Sequence, residues 1–161
     1  MEKLMLSLTY FSALGAGLMA GLFFAFSTFV MTALERIPKP HGISAMQSIN
    51  QTILNPLFGI VFGGTALACL VLAITSFFRL GTVSANLVLA ASLLYLIGVI
   101  LITMVYNVPL NDALAVVDPN SAVGADVWRT YLDRWLPWNH VRTIASIGSL
   151  VLFILALRFK S

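Results

Sequence analysis

Four long apolar runs constrain this chain more than any other feature of its sequence. Runs without a single charged side chain cover residues 4–34, 53–78, 80–106 and 144–157. A helix needs about 20 apolar residues to cross the hydrocarbon core of a bilayer. Three runs exceed this length, and the fourth reaches it when it is extended back to Trp138. The sequence therefore predicts an all-α integral membrane protein, a four-helix bundle in a single domain over residues 1–161.

The composition excludes a water-soluble domain. Hydrophobic residues make up 60% of the 161 residues and charged residues only 9%, whereas an average soluble domain carries about 25% charged residues. The net charge of +3 comes from scattered Lys and Arg residues that form no basic stripe, so we expect no nucleic-acid partner. The expected partner is the lipid bilayer, and the sequence leaves a homo-oligomer open.

The predicted spans alternate across the membrane, which places both longer connections on the same side. The spans are expected near residues 5–34, 53–78, 83–107 and 138–158. The connections 37–52 and 111–137 then form two short helical caps on one side, with a short helix near 43–50 and an amphipathic one near 123–132. The first run is too long for the h-region of a signal peptide, which has about 7–15 residues, so we expect an uncleaved first span.

Small residues recur at four-residue spacing on the first two spans. The first span has Gly17 and Gly21 with Ala13 and Ala25, and the second has Gly59 and Gly63 with Ala66. Helices in lipid approach one another closely where such residues remove bulk from the interface. We therefore expect both glycine faces to pack inside the bundle.

Basic residues outside the spans are nearly balanced between the two sides. Those near the chain ends and in the tight turn are Lys3, Arg79, Arg158 and Lys160, and those in the caps are Arg36, Lys39, Arg129 and Arg134. Cytoplasmic loops are enriched in Lys and Arg. Our expectation is cytoplasmic termini, with the caps on the opposite side.

Arg142 is the most informative residue, because a cation inside a span costs about 3 kcal/mol or more unless it finds partners or water. A helical wheel puts Asn139, Arg142, Ser146 and Ser149 on one face, which we expect to look into the bundle. Other polar groups predicted at the same bundle mouth are Gln47, Asn50, Asn55, Asn107, Asn111 and His140. Two interpretations compete with a ligand pocket. Arg142 could snorkel to the headgroups, or the amides could form a structural cap that ties helix ends together.

Pro109 divides the polar segment that follows the third span. Proline lacks a backbone N–H and cannot donate to the carbonyl of Val105, so we expect the helix to end or bend there. Asn107 and Asn111 still project to one side, and we expect Asn107 to point into the bundle beside Arg142.

The sequence does not predict a metal centre. It has neither an HExxH motif nor a Gly-rich phosphate loop, and its only histidines are His41 and His140. They could meet Asp112 at the caps, but these three side chains have no spacing typical of a metal site. The single cysteine, Cys69, stands in an apolar run, which is typical of a small buried side chain. We expect no metal or organic cofactor.

Four segments together resemble the anthrone oxygenase-like family. They are residues 45–50 (AMQSIN), Asn55-Pro56, residues 107–111 (NVPLN) and residues 138–143 (WNHVRT). The family comprises small four-helix membrane proteins, mostly uncharacterised in bacteria, whose fungal members oxidise anthrones to anthraquinones. The resemblance covers essentially the whole chain and implies a protein of the bacterial inner membrane with O₂ as co-substrate.

The resemblance also implies a chemistry. An anthrone has an acidic CH₂ group, and its enolate can pass an electron to O₂ without a metal or flavin. The chain would then be a cofactor-independent monooxygenase that acts on a flat aromatic or quinol-like lipophilic substrate. In this interpretation His140 is the general base, since imidazole exchanges protons near neutral pH, and Arg142, Asn107 and Asn139 hold the oxyanion. The remaining substrate-binding residues would be Phe24, Tyr106 and Trp138 around the ring, with Gln47, Asn50, Asn55 and Asn111.

A non-catalytic function is the alternative. The same bundle could bind a quinone or a lipid, or serve as a subunit of a membrane complex. An enzyme should take up O₂ with an anthrone-like or quinol-like compound, whereas a structural subunit should co-purify with a fixed partner.

Overall fold

The computed structural model describes residues 2–159 and contains five helices in this range. Their bounds are Glu2–Arg36 (α1), Lys39–Thr52 (α2), Pro56–Phe77 (α3), Val83–Ala115 (α4) and Ala122–Arg158 (α5). All but α2 are long and apolar enough to cross a membrane. The described residues contain no strand, so the predicted all-α, four-helix membrane architecture is confirmed. Lys160, one of the cations counted for orientation, lies outside the described residues.

Local sequence signals start three of these helices. Each N-cap side chain accepts a hydrogen bond from a backbone N–H three residues later: Asn55 from Phe58, Thr82 from Ala85 and Ser121 from Gly124. Such caps satisfy N–H groups that have no partner within the helix. The tight turn between α3 and α4 contains Gly81 at a φ of 108°, a conformation that glycine adopts without steric penalty.

The four spans pack around one apolar core, with α5 against α1 and α4, and α3 against α1 and α4. Close approach occurs at three glycines other than the predicted pairs: a Cβ on Gly15 would overlap Thr65, one on Gly98 would meet Ala145 and one on Gly148 would meet Leu94. Gly21, Gly59 and Gly63 have no neighbour within 4 Å of such a Cβ among the described residues. The predicted close packing is wrong for these three glycines, whereas a Cβ on Gly17 would contact Leu150 at 3.6 Å and Ala13 is buried in the core.

One end of the bundle is closed by a second apolar cluster. Its buried residues come from α1, α2, α4 and α5, and they are Met31, Ile43, Met46, Leu114, Trp128, Tyr131 and Trp135. We call this end the cap. Both predicted cap segments are helical here, but only the first is a separate helix, since residues 123–132 are continuous with α5. The 37 residues of α5 therefore extend from the cap through the span.

Irregular turns lie in the cap-side half of three spans. Widened π-helical turns occupy Phe26–Val30 in α1, Ile60–Gly64 in α3, and Leu96–Leu101 with Thr103–Asn107 in α4. After the last of these, α4 does not end at Pro109 but runs on to Ala115. Pro109 stands in the first turn of the α-helical segment Val108–Ala115, directly after the π-helical turn, and the helix continues past it. The fourth span, α5, is α-helical along its described length and contains Pro137 within the helix.

Candidate functional site

The guanidinium of Arg142 lies buried inside the bundle below the cap. Only 5% of the residue is exposed, so the side chain does not snorkel to the membrane surface. Its Nη2 donates to Asn139 Oδ1 at 2.8 Å and its Nη1 to Thr103 Oγ1 at 3.3 Å. The ring centroids of Phe23 and Trp135 lie 4.4 and 5.0 Å from its Cζ. Two neutral acceptors and two aromatic faces therefore surround this cation.

Asn139 joins α5 to α1 through the irregular turn of the first helix. Its Nδ2 donates to the Phe23 carbonyl and to Ser27 Oγ, each at 2.8 Å. The Ser27 hydroxyl in turn bonds to Thr143 at 2.9 Å. The π-helical turn begins at Phe26, three residues after Phe23, and contains Ser27. The asparagine is thereby fixed with its oxygen toward Arg142.

Asn107 is fully buried and faces α5. Its Nδ2 donates to the Trp135 carbonyl at 3.1 Å. Its Oδ1 has no hydrogen-bond partner among residues 2–159. The side chain points into the bundle, as the sequence predicted, but its hydrogen bond goes to the backbone of Trp135, two residues before Pro137, and not to Arg142.

A cavity of about 70 Å³ borders Arg142 under the cap. Its apolar wall consists of Leu22, Phe23, Phe26, Met46, Ile49 and Ile53, and its polar residues are Asn50, Asn111, Trp135 and Arg142. The Nε of Arg142 and the Nδ2 of Asn50 are buried without a partner in the described chain. Both unpaired groups are N–H donors, and both belong to residues that line the cavity.

The amide of Asn111 is held in one orientation. Its Oδ1 accepts from Tyr131 Oη at 2.8 Å and from Trp135 Nε1 at 2.9 Å. Indole nitrogen can only donate, which assigns the oxygen to this side of the amide. The NH₂ of Asn111 is therefore the end left for the cavity, as a further donor.

Within the described part of the chain, no carboxylate compensates the charge of Arg142. Within residues 2–159 the only ion pair joins Arg129 to Asp126 at 2.9 Å, and both side chains are exposed. Nor do any three His, Cys, Asp or Glu side chains of the described range converge in a way that could hold a metal ion. The cavity thus combines one uncompensated buried cation, unpaired N–H donors and apolar walls, an arrangement suited to an anionic oxygen on a lipophilic molecule.

The remaining predicted site residues lie outside this cluster. His140 is exposed, and two residues along an α-helix turn it about 200° from Arg142. Tyr106 and Trp138 stack on each other with ring centroids 3.7 Å apart, which leaves no room for a substrate ring between them. Phe24 is 54% exposed and points away from the bundle.

Two predicted amides serve helix ends. Gln47 donates to the carbonyls of Leu114 and Val117 at 2.9 and 3.0 Å, which ties α2 to the end of α4. Asn55 caps α3 and donates to the Thr52 carbonyl. These two residues follow the structural-cap interpretation, whereas Asn50 and Asn111 line the cavity.

Ser27 and Trp135 belong to the site but were not predicted from the sequence. Trp135 lies seven residues before Arg142, a spacing that puts both on one helix face, so the helical wheel could have found it. Ser27 has no such signal, because its position depends on the π-helical turn of α1.

Comparison with known proteins identifies a family. The family model described as anthrone oxygenase matches residues 51–152, which is more than half of the chain and includes Asn107, Asn139 and Arg142. Comparisons with curated proteins and with solved structures give no match.

Proposed function

Because this chain belongs to the anthrone oxygenase family, we propose that it is a membrane-embedded oxygenase acting on a lipophilic aromatic substrate with an acidic methylene group. The observation that carries the proposal is the buried guanidinium of Arg142, which lines the cavity and has neither a counter-ion nor a partner for its Nε in the described chain. A cation inside a membrane bundle is stabilised by an anion that comes with the ligand. An enolate oxygen is such an anion.

The proposed reaction converts a CH₂ group to a carbonyl at the expense of O₂. Loss of one methylene proton gives an enolate, whose oxygen binds Arg142 Nε and Asn50 Nδ2. The enolate passes an electron to O₂, and the resulting pair combines into a C–O bond. The peroxide takes up the proton, and loss of water then leaves the carbonyl. One oxygen atom of O₂ enters the product and the other leaves as water, so the four electrons lost by carbon reduce O₂ completely.

In this proposal, the N–H donors at the site make the substrate more acidic, and no side chain accepts the proton. The cavity walls in the described chain include neither an imidazole nor a carboxylate, so we assign the departing proton to water at the cavity mouth. Hydrogen bonds from preorganised donors lower the energy of the enolate relative to the neutral substrate. Asn139 and Thr103 act indirectly, since they hold the guanidinium in place.

The cavity size limits how such a substrate binds. About 70 Å³ accommodates the oxygen-bearing edge of a flat molecule but not three fused rings. We propose that the rings extend between α1 and α2, where Leu22, Phe26, Ile49 and Ile53 are all partly buried. The substrate would then arrive from the lipid, in which both flat aromatic molecules and O₂ dissolve. We further propose cytoplasmic termini in a bacterial inner membrane, so that the cap lies on the other side.

Arg142→Lys tests the proposal. Lysine retains the charge but loses the planar fork of donors. In detergent, we expect the wild type to consume O₂ with anthrone, above autoxidation, and Arg142→Lys to lose about 10²–10³-fold in turnover, as for loss of an oxyanion donor. Arg129→Lys is the matched control, because Arg129 lies on the same helix with its side chain 73% exposed.

Two results would count against the proposal. Wild-type turnover in a folded Arg142→Lys protein would remove the guanidinium from the mechanism. Tight binding of anthraquinone without any O₂ uptake would favour the non-catalytic alternative, a bundle that only binds a quinone.

A further inference from the structure

A second cavity lies at the opposite end of the bundle, around the turn between α3 and α4. It measures about 200 Å³, and all four spans contribute to its wall. It shares no residue with the cavity beside Arg142. Its polar residues are Thr9, Thr75, Ser76, Arg79, Thr82 and Ser84. The cavity therefore brings one cation and several hydroxyl groups together at this end of the bundle.

Arg79 supplies a positive charge at the membrane boundary. It follows α3, which ends at Phe77, and precedes α4, so it stands at headgroup level. Its side chain makes no hydrogen bond or ion pair within the described chain. Lys3 and Arg158 are at the same end of the bundle, where Glu2 is the only acid in the described range. This cavity rim therefore attracts anions.

Three of the five hydroxyl groups in the wall donate their protons to backbone carbonyls. Thr9 donates to the Met5 carbonyl at 2.7 Å, Thr75 to the Val71 carbonyl at 2.8 Å, and Ser84 to the Ala156 carbonyl at 3.2 Å. A hydroxyl that donates in this way still has lone pairs with which to accept. The cavity thus offers a cation for an anion and, beside it, oxygen acceptors for a donor.

We infer that this cavity binds a phospholipid headgroup that carries both a phosphate and an N–H donor, as phosphatidylethanolamine does. The phosphate pairs with Arg79, and the ammonium donates to the oxygens of Thr9, Thr75 and Ser84. Apolar wall residues such as Leu72, Val88 and Leu157 suit the start of an acyl chain. Free phosphate shares the anion chemistry, whereas a choline headgroup has the same phosphate without an N–H.

Lipid titration of the full chain in detergent tests this inference. We expect phosphatidylethanolamine to bind more tightly than phosphatidylcholine of the same acyl chains, measured by native mass spectrometry. Arg79→Gln should weaken both by about 10-fold or more, since it removes a charged hydrogen bond. Thr75→Val keeps the shape of the side chain but removes one hydrogen-bond acceptor. It should therefore reduce the difference in affinity between phosphatidylethanolamine and phosphatidylcholine.

The controls separate a specific site from a charged surface. Arg158→Gln removes a cation from the same bundle end but not from the cavity wall, and it should leave lipid binding unchanged. An equal loss of lipid affinity in Arg158→Gln and Arg79→Gln would overturn the inference. Equal affinity of the wild type for the two lipids would also overturn it. Displacement of bound lipid by inorganic phosphate at comparable concentration would assign the cavity to a free anion instead. None of these outcomes depends on oxygenase activity.

Discussion

At the scale of single residues, the buried cation of Arg142 is the most unusual feature of the molecule. Burial of a cation in a membrane costs about 3 kcal/mol or more, and this cation has only two neutral acceptors and two aromatic faces within the described chain. Cation–π contacts contribute about 0.5–2 kcal/mol each, and they do not neutralise the charge. An anionic ligand would complete this environment, which is why we propose a binding function for the site.

His140 is the residue at which the structure changes our expectation most. It is exposed, on the opposite side of α5 from Arg142. We therefore expect His140→Ala to leave O₂ consumption with anthrone nearly unchanged, far from the loss of about 10²–10⁴-fold that removal of a general base produces. Turnover and melting temperature should be measured together, so that a folding defect is recognised. A large loss of turnover in a stable His140→Ala protein would place the imidazole in the mechanism after all.

At the scale of helices, irregular turns lie next to the residues of the site. The turn at Phe26–Val30 lies beside the Phe23 carbonyl that accepts from Asn139, and the turn at Thr103–Asn107 contains two of the site residues. Such π-helical turns are rare and often accompany functional sites. Their occurrence in three spans at the cap-side half is consistent with a site at that level.

Glycine contacts provide a test at the same scale. In Gly15→Ala the new methyl group would overlap Thr65, which is fully buried, so we expect a loss of about 1–3 kcal/mol in the free energy of unfolding. Gly21→Ala is the matched control on the same helix, with open space around its Cβ. It should be neutral or stabilising, because alanine favours a helix over glycine by about 1 kcal/mol. Equal melting temperatures for both variants in detergent would contradict the packing described here.

The number of spans could be predicted from the sequence, whereas the register of their contacts could not. Uncharged runs identify spans because the bilayer requires them, and the helical wheel of α5 places Asn139 and Arg142 on one inner face. Contacts between helices depend on rotation and on irregular turns, which leave no mark in composition. For this reason three of the four predicted glycines lie outside the helix contacts, and Tyr106 and Trp138 stack on each other where we expected a substrate slot.

At the scale of the whole molecule, the bundle is polarised. One end carries the cap and the cavity beside Arg142, and the other carries the tight turn and the cavity beside Arg79. A ligand of the first cavity and a lipid in the second would be separated by the apolar core of the spans. The two can therefore be altered independently by mutation.

Cysteine labelling tests this polarity. An impermeant maleimide should reach Ser44→Cys and Asn120→Cys, both exposed in the cap, from the same side of the membrane. It should reach Leu80→Cys, exposed in the tight turn, only from the other side. The native Cys69 is fully buried and should stay unlabelled. Labelling of Ser44→Cys and Asn120→Cys from opposite sides would contradict the four-span topology.

The placement of the aromatic residues has an optical consequence. All three tryptophans of the chain, Trp128, Trp135 and Trp138, lie within the cap-side part of α5. Tryptophan fluorescence of the folded protein therefore originates at one end of the bundle, and Trp135 itself borders the cavity beside Arg142. Tryptophan emission therefore reports on ligands and movements at the cap. It does not report directly on events around Arg79, at the far end of the bundle.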